Sequence, residues 1–231
     1  MNNLKVIAFD ADDTLWVNEP YFREVEDRFC ALMEDYLPMH SSAKELFKIE
    51  MQNLELYGYG IKAFMLSMIE TISVITESKG SLKLVEETIK LGKEMLEKPI
   101  ELLEGVEDTL KALKGKYRLV VATKGDLLDQ ERKLKKSGLE EYFHHIEIMS
   151  EKRTADYQKL IKHLDIKPGE FMMIGNSVKS DILPVLELGG WGVHVPYHTT
   201  WAHELVDVEI ENEQFKQVEK LDEVLGFLHK N

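Results

Sequence analysis

Phe9-Asp10-Ala11-Asp12-Asp13-Thr14-Leu15 sets three carboxylates directly behind the apolar run Val6-Ile7-Ala8-Phe9. Carboxylates this close repel one another, and a divalent cation is the natural offset. Mg²⁺ takes oxygen ligands and keeps water positions free for a phosphate. Asp10 and Asp12 are two residues apart, so a chain that leaves strand geometry between them can turn both side chains to one cavity. The plainer reading is a solvated acidic turn or a helix cap. Three more apolar runs end in polar residues. After 120–122 come Thr123, Lys124 and Gly125; a hydroxyl and free backbone N–H groups at a helix entrance hold an anion. After 145–149 comes Lys152, which can neutralise a phosphate. After 171–174 comes Gly175-Asn176-Ser177-Val178-Lys179-Ser180-Asp181, where Asn176 and Asp181 offer further oxygens. Taken singly, these read as an N-capping Thr with a Gly turn, a surface lysine, and a turn with a capping Asp. Their recurrence at four successive run ends favours a shared site.

The elements that would carry them are short and continuously apolar. Runs at 4–9, 117–122, 145–149 and 171–174, with a weaker one at 191–195, suit strands covered on both faces. Helical patterns at 105–114, 127–137, 155–164 and 181–188 alternate with them, which predicts an α/β domain with right-handed crossovers. In such a sheet, ligands bind beyond the carboxyl ends of the strands. Between the first two runs no strand pattern appears. Phe22, Val25, Phe29, Leu32, Met33 and Tyr36 lie on one helical face that starts near Pro20 and stops at Pro38. Ile61, Phe64, Met65, Met68, Ile72 and Ile75 repeat the spacing, and Val85, Ile89 and Leu96 carry it more weakly. The expected organisation is a core of residues 1–18 and 99–231 with a helical insertion at 19–98. Leu221, Val224, Leu225 and Leu228 predict a last helix on the core.

Composition bounds the rest. The 231 residues suit one large domain, or a core with a smaller one, and 44% hydrophobic residues suffice for a sizeable interior. One cysteine excludes an internal disulfide framework and a thiolate zinc cluster. A net charge of -13 argues against a nucleic-acid partner. No segment approaches the roughly 18 uninterrupted apolar residues of a membrane helix, and the first apolar run is too short for a signal-peptide core. A soluble cytoplasmic protein of open oligomeric state is the expectation.

In these motifs the chain resembles the haloacid dehalogenase-like (HAD) hydrolase superfamily, over residues 4–18 and 100–200. Asp10, Asp12 and Thr14 match its Asp-x-Asp-x-Thr motif, Thr123 its second-strand hydroxyl, Lys152 its lysine, and residues 175–181 its acidic loop in part. The resemblance implies a doubly wound parallel sheet, a Rossmann-like core, with an inserted all-helical cap. It implies Mg²⁺ and a small phosphorylated metabolite as partners. Asp10 would attack phosphorus to form an aspartyl phosphate, and Asp12 would act as general acid and then base. Thr123, Lys124 and Lys152 would hold the phosphate. The metal would take the Asp10 side chain, the Asp12 carbonyl, and Asn176 or Asp181. The family's acidic loop usually begins Gly-Asp; Gly175-Asn176 keeps an oxygen but removes a charge, which predicts weaker metal binding.

Asp12 separates the resembling activities, because a halide leaving group needs no acid and haloacid dehalogenases lack this residue. A phosphonatase needs a Schiff-base lysine in the cap, and nothing singles out Lys44, Lys48 or Lys62. Receiver domains also gather acids, a hydroxyl and a lysine around Mg²⁺, but they are about half this length, with no insertion after the first strand. A HAD-like protein that binds without turnover is the remaining reading. Tyr57-Gly58-Tyr59-Gly60 is a candidate specificity loop or an ordinary helix turn, and Trp16, Asn18 and Glu19 line a pocket or pack at the exit from the core. His194, His198 and His203 have no zinc-hydrolase spacing and read as loop and surface residues, with His194 and His198 also placed to touch substrate at the active end of the sheet.

Overall fold

Val6-Ile7-Ala8-Phe9 is buried on both faces, and its position in the sheet follows from that: it is one of the two central strands of six. The computed structural model describes residues 3–228, so Met1, Asn2 and 229–231, which the expected core boundaries include, lie outside the described residues. The strands are β1 Val6–Phe9, β2 Arg118–Lys124, β3 His145–Met149, β4 Phe171–Gly175, β5 Trp191–His194 and β6 Phe215–Gln217. All pair in parallel, in the order β3-β2-β1-β4-β5-β6. From β1 the chain builds outward through β2 and β3, then returns to build β4, β5 and β6 on the other side. The reversal falls between β1 and β4, and a doubly wound sheet opens a ligand crevice beyond the strand ends at such a point.

Alternate residues of each strand feed two apolar layers. Ile7, Phe9, Val121 and Ile174 pack with Leu110 and Leu113 of α5 (Val106–Leu113) and with Val224 on one face. Val6, Ala8, Val120, Ala122 and Met173 pack on the other with Tyr157 and Leu160 of α7 (Thr154–His163) and with Val185 of α8 (Leu183–Glu187). Burial on both faces is why these strands read as continuous apolar runs. α6 (Leu127–Ser137) joins β2 to β3.

The chain clusters into two compact units, one of residues 1–19, 100–124 and 130–231, the other of residues 20–99 with 125–129. The second unit holds α1 Glu19–Leu32, α2 Met39–Tyr57, α3 Ile61–Ile75 and α4 Leu82–Glu97. Val25, Phe29, Met33, Leu46, Phe64, Met68, Ile72, Leu91 and Met95 form its core. The 125–129 turn groups with these helices through Asp126, whose carboxylate meets Lys62 Nζ at 2.8 Å.

Several sequence expectations need correction. Helix α2 has no counterpart among them. Its buried positions are Ser42, Leu46, Ile49 and Asn53, at helical spacing but half polar, so the apolar stripe is interrupted. Asn53 is satisfied inside the unit by donating to Ser67 Oγ (3.2 Å) and Glu70 Oε2 (3.0 Å). Helix α1 ends at Leu32 rather than running on to Pro38, and Tyr36 is exposed in the following turn. The helix expected at 181–188 begins instead as a wide π-type turn, Val178–Ile182, before α8. Strand β6, only three residues long within an acidic stretch, has no counterpart among these expectations either. The last helix is a tight turn, Leu221–Val224, and one α-helical turn α9, Leu225–Leu228.

Leu110 is fully buried against both β1 and β2. Leu110→Ala is expected to destabilise the protein by about 2–5 kcal/mol, read from the denaturant midpoint.

Candidate active site

Asp10 follows β1 immediately, and its N–H still bonds to Ile174 O of β4 (2.9 Å). From Ala11 the chain leaves strand geometry. Leu15 N bonds back to Ala11 O (2.8 Å), and Asp13 sits at φ 60°. Short polar side chains tolerate this left-handed conformation. Asp13 points away from Asp10; its carboxylate accepts from the backbone N–H groups of Asn18 (2.8 Å) and Glu19 (2.9 Å) at the start of α1. The third acid is therefore a cap.

Lys152 enters from beyond β3 and is buried with its charge. Its ammonium donates to Asp10 Oδ1 and, at 2.7 Å, to Asp181 Oδ1. Asp181 sits on the wide turn after β4, where Ser177 N donates to its Oδ2 (3.0 Å) and Tyr157 OH approaches its Oδ1 (3.5 Å). Gly175 makes room for it: a Cβ there would lie 2.2 Å from Asp181 Oδ2. Burial pushes the Asp10 carboxyl up from the usual 3.8 to about 7. Lys152 opposes that rise, and Asp181 and Asp12 add to it. For Lys152, burial opposes the charge, but the two carboxylates outweigh it and hold the ammonium above its ordinary range.

A second feature faces the other oxygen of Asp10. The inward end of the Asn176 amide lies 3.2 Å from Asp10 Oδ2 and 3.3 Å from both the Asp12 main-chain oxygen and Thr14 Oγ1. Asn176 N in turn bonds to Thr14 Oγ1 (3.1 Å), tying the β4 loop to the β1 loop. With nitrogen inward, the amide's two N–H groups have all three oxygens within donating distance. With oxygen inward, it accepts from Thr14 and faces the oxygens of Asp10 and Asp12. Amide orientation follows the hydrogen-bonding partners available, and a cation among the oxygens favours the second state. Cis oxygens around octahedral Mg²⁺ sit about 3 Å apart, so spacing and donor chemistry both fit that ion. Among the described residues no group of three or more His, Cys, Asp and Glu side chains gathers; the set here is carboxylate, carbonyl and amide.

The remaining expected residues lie around this centre without bonding to it. Thr123 is buried, with its hydroxyl turned to the Lys124 carbonyl (3.3 Å). Beyond Lys124 the chain turns through Gly125 at φ 131°, a conformation that suits glycine. Lys124 Nζ is engaged by Glu204 Oε1 (2.6 Å) and Ser180 Oγ (3.0 Å). The Asp12 carboxylate is bonded to Trp16, Gln130 and Lys133, while its main-chain oxygen faces Asn176.

Sequence reasoning missed Glu204, Gln130 and Lys133. Glu204 also accepts from Ser177 Oγ (2.5 Å) and Ser180 Oγ (2.6 Å). Burial works against its charge, yet Lys124 and these hydroxyls hold its carboxyl down at about 2. Its stretch has little apolar pattern, so nothing in the sequence ties it to the β2 and β4 tips. Gln130 and Lys133, one helical turn apart, left a periodic signal but resembled a solvated face. His194 backs the site, its Nε2 lying 3.1 Å from Asn176 O.

A parallel doubly wound sheet with a buried carboxylate, a lysine and an amide facing oxygens at its switch point defines an α/β protein with an acidic site at its strand tips. A family model described as haloacid dehalogenase-like hydrolase matches residues 4–189, and the chain belongs to that family. A haloacid dehalogenase-like family hydrolase from Xanthomonas campestris is 34% identical, with a TM-score of 0.89 over 98% of this chain and 91% of that one. At lower identity the likeness is one of fold. A predicted phosphoglycolate phosphatase from Haemophilus somnus is 17% identical (TM-score 0.65; 99% of both chains). The HAD-hydrolase YfnB from Bacillus subtilis, bound to magnesium, is 18% identical (TM-score 0.64; 98% of this chain, 99% of that one). A 2-haloacid dehalogenase from Pseudomonas syringae shares the fold at 15% identity (TM-score 0.62; 98% and 99%). No curated protein matches the chain. Among the described residues no helix is long and apolar enough to cross a membrane.

Folded Asp10 and Asp13 bind protons more tightly than an unfolded chain does, since burial first of all raises them to about 7 and about 8. Their contribution to stability is therefore full below about pH 4 and is lost as pH rises through those values. Unfolding free energy of the metal-free protein should fall between about pH 4 and pH 8 and level off above that. Lys152→Met, which leaves two buried carboxylates without their shared cation, should cost about 3–5 kcal/mol at pH 8 and steepen that fall. Denaturant titrations across pH measure both.

Proposed function

We propose that the protein is a Mg²⁺-dependent phosphohydrolase that acts on small phosphate monoesters through an aspartyl phosphate. One observation carries the reading: Lys152 binds one oxygen of Asp10, while the other oxygen and the Asp12 carbonyl each face the inward end of the Asn176 amide, at 3.2 and 3.3 Å, close to the spacing of a cation's ligands. A lysine on the nucleophile is of use when the incoming group is itself an anion. The metal would be held by Asp10 Oδ2, the Asp12 main-chain oxygen and Asn176 Oδ1, with Asp181 behind them. When bound, Mg²⁺ supplies charge that offsets repulsion between the carboxylate and the phosphate. The magnesium-bound YfnB shares this fold.

The chain's own groups then have separable tasks. Asp10 uses a carboxylate oxygen to form the bond to phosphorus as the bond to the leaving oxygen breaks. Asp12 delivers a proton to that oxygen, and the alcohol departs. Asp12, now a carboxylate, accepts a proton from water, whose oxygen bonds to phosphorus as the Asp10–phosphorus bond breaks, releasing inorganic phosphate. Lys152 and Thr123 hold non-bridging phosphate oxygens. Backbone N–H groups around Lys124 and Gly125 provide further donors. Lys124 contributes through its main chain, because its ammonium is already paired with Glu204. The helical unit of residues 19–98 would serve as the cap that selects the substrate.

Asp12 favours this chemistry over haloacid dehalogenation, which needs no proton donor for a halide. A panel of phosphate monoesters assayed against a Mg²⁺ titration is expected to show turnover that chelation abolishes. Asp10→Asn should lower it by at least about 10⁴-fold, the scale of losing an activated nucleophile. Metal-independent turnover, or full turnover in Asp10→Asn, contradicts the reading.

A further inference from the structure

The Asp12 carboxylate ends in a polar pocket of its own. Oδ1 accepts from Trp16 Nε1 at 2.7 Å and from Lys133 Nζ at 2.8 Å, and Oδ2 accepts from Gln130 Nε2 at 2.8 Å. Each anchor is fixed in turn. Lys133 Nζ also donates to Asn18 Oδ1 (2.8 Å), and Gln130 Nε2 to the Lys124 carbonyl (2.8 Å). Trp16 is buried in the core cluster beside β1. Gln130 and Lys133 are adjacent on one face of α6, and they are only 5% and 8% exposed. Both residue types are normally at the surface. Gln130 Oε1 is moreover buried with no hydrogen-bond partner. A helix face selected for stability alone would be apolar here, since replacing buried ion pairs by well-packed apolar groups is often neutral or better. This face is built around one carboxylate.

We propose that Lys133 and Gln130 are positioning residues for Asp12. They hold its side chain in the single orientation from which it exchanges protons with the leaving oxygen and then with water. The inference rests on the phosphohydrolase reading and assigns to α6 a part in it that the strand-tip motifs do not reveal. Neither residue touches the phosphate or the Asp10 oxygens in this arrangement; they act through Asp12.

Leaving-group dependence exposes such a role. An aryl phosphate departs as a stable phenolate and needs little proton donation, whereas an alkyl phosphate departs as an alkoxide and needs it fully. Misplacing Asp12 must therefore slow alkyl substrates selectively in the first turnover. Loss of fold, substrate affinity or metal would slow both alike. In single-turnover assays with saturating Mg²⁺, Lys133→Met is expected to slow release from a simple alkyl phosphate by about 10- to 100-fold, part of the range of proton-transfer catalysis. Release of p-nitrophenol from its phosphate should change by less than about 3-fold, well below that range. Lys133→Arg should restore part of the alkyl rate, and Lys136→Met, on the exposed face of the same helix, should change neither. Should Lys133→Met fail to fold by circular dichroism, Gln130→Met carries the same test with the same expected selectivity. Equal slowing of both substrates, or no slowing of either, overturns the assignment. Asp10→Asn run alongside separates the two failures: if it is inactive while Lys133→Met shows no selectivity, the phosphohydrolase reading stands and only the positioning role falls.

Discussion

A buried lysine shared by two buried carboxylates holds the centre of this protein together. Lys152 reaches Asp10 at the tip of β1 and Asp181 beyond the tip of β4, from its own position beyond β3. Three segments of chain, the first 142 residues from the second and the second 29 from the third, thus meet on one charge. None of the three groups is well placed alone. Burial raises Asp10 to about 7 even with the ammonium present, which opposes that rise, so without it Asp10 would hold its proton more tightly still. Loss of one partner from a buried ion pair costs far more than the pair contributes, which makes the arrangement an all-or-none commitment. Gly175 allows it, since any side chain there would occupy the place of the Asp181 carboxylate.

Around that centre the sheet separates two kinds of oxygen. The side facing Lys152 is already neutralised. The side facing Asn176 and the Asp12 carbonyl has oxygens that oppose one another unless the amide turns or a cation enters. Asn176 in place of a carboxylate thus gives the metal-free chain a way to satisfy itself: the same amide can donate where a carboxylate could only repel. The Asp12 carboxylate is withdrawn to the α6 side and bonded there to three donors. The β1 turn therefore splits one short sequence into separate duties, with Asp10 on the lysine, the Asp12 main chain on the amide, and Asp13 on the N–H groups at the start of α1.

The parts legible in the sequence were those that repeat a simple signal. Double-sided burial produces continuous apolar runs, and five of the six strands announced themselves that way. The polar residues after those runs could be grouped because topology dictates that parallel strands end on one edge. Family membership followed from the same few residues, above all Asp10, Asp12 and Thr14. What stayed hidden lacked periodicity or looked like its opposite. Helix α2 mixes Ser42 and Asn53 into its buried stripe. Strand β6 is three residues long. Glu204 reaches Lys124 and both serines from a stretch with little pattern, and Gln130 and Lys133 are buried where their types suggest solvent. Such contacts depend on packing between distant segments, which no local pattern encodes.

In the proposed reaction the carboxylate on Lys152 becomes covalently bonded to phosphorus. Acid quenching during turnover of a phosphate monoester, followed by peptide mass spectrometry, tests it most directly. A phosphoryl group on the Asp10 side chain, seen with Mg²⁺ and absent after chelation, is the predicted result. Steady turnover with the phosphoryl group on another residue would contradict it.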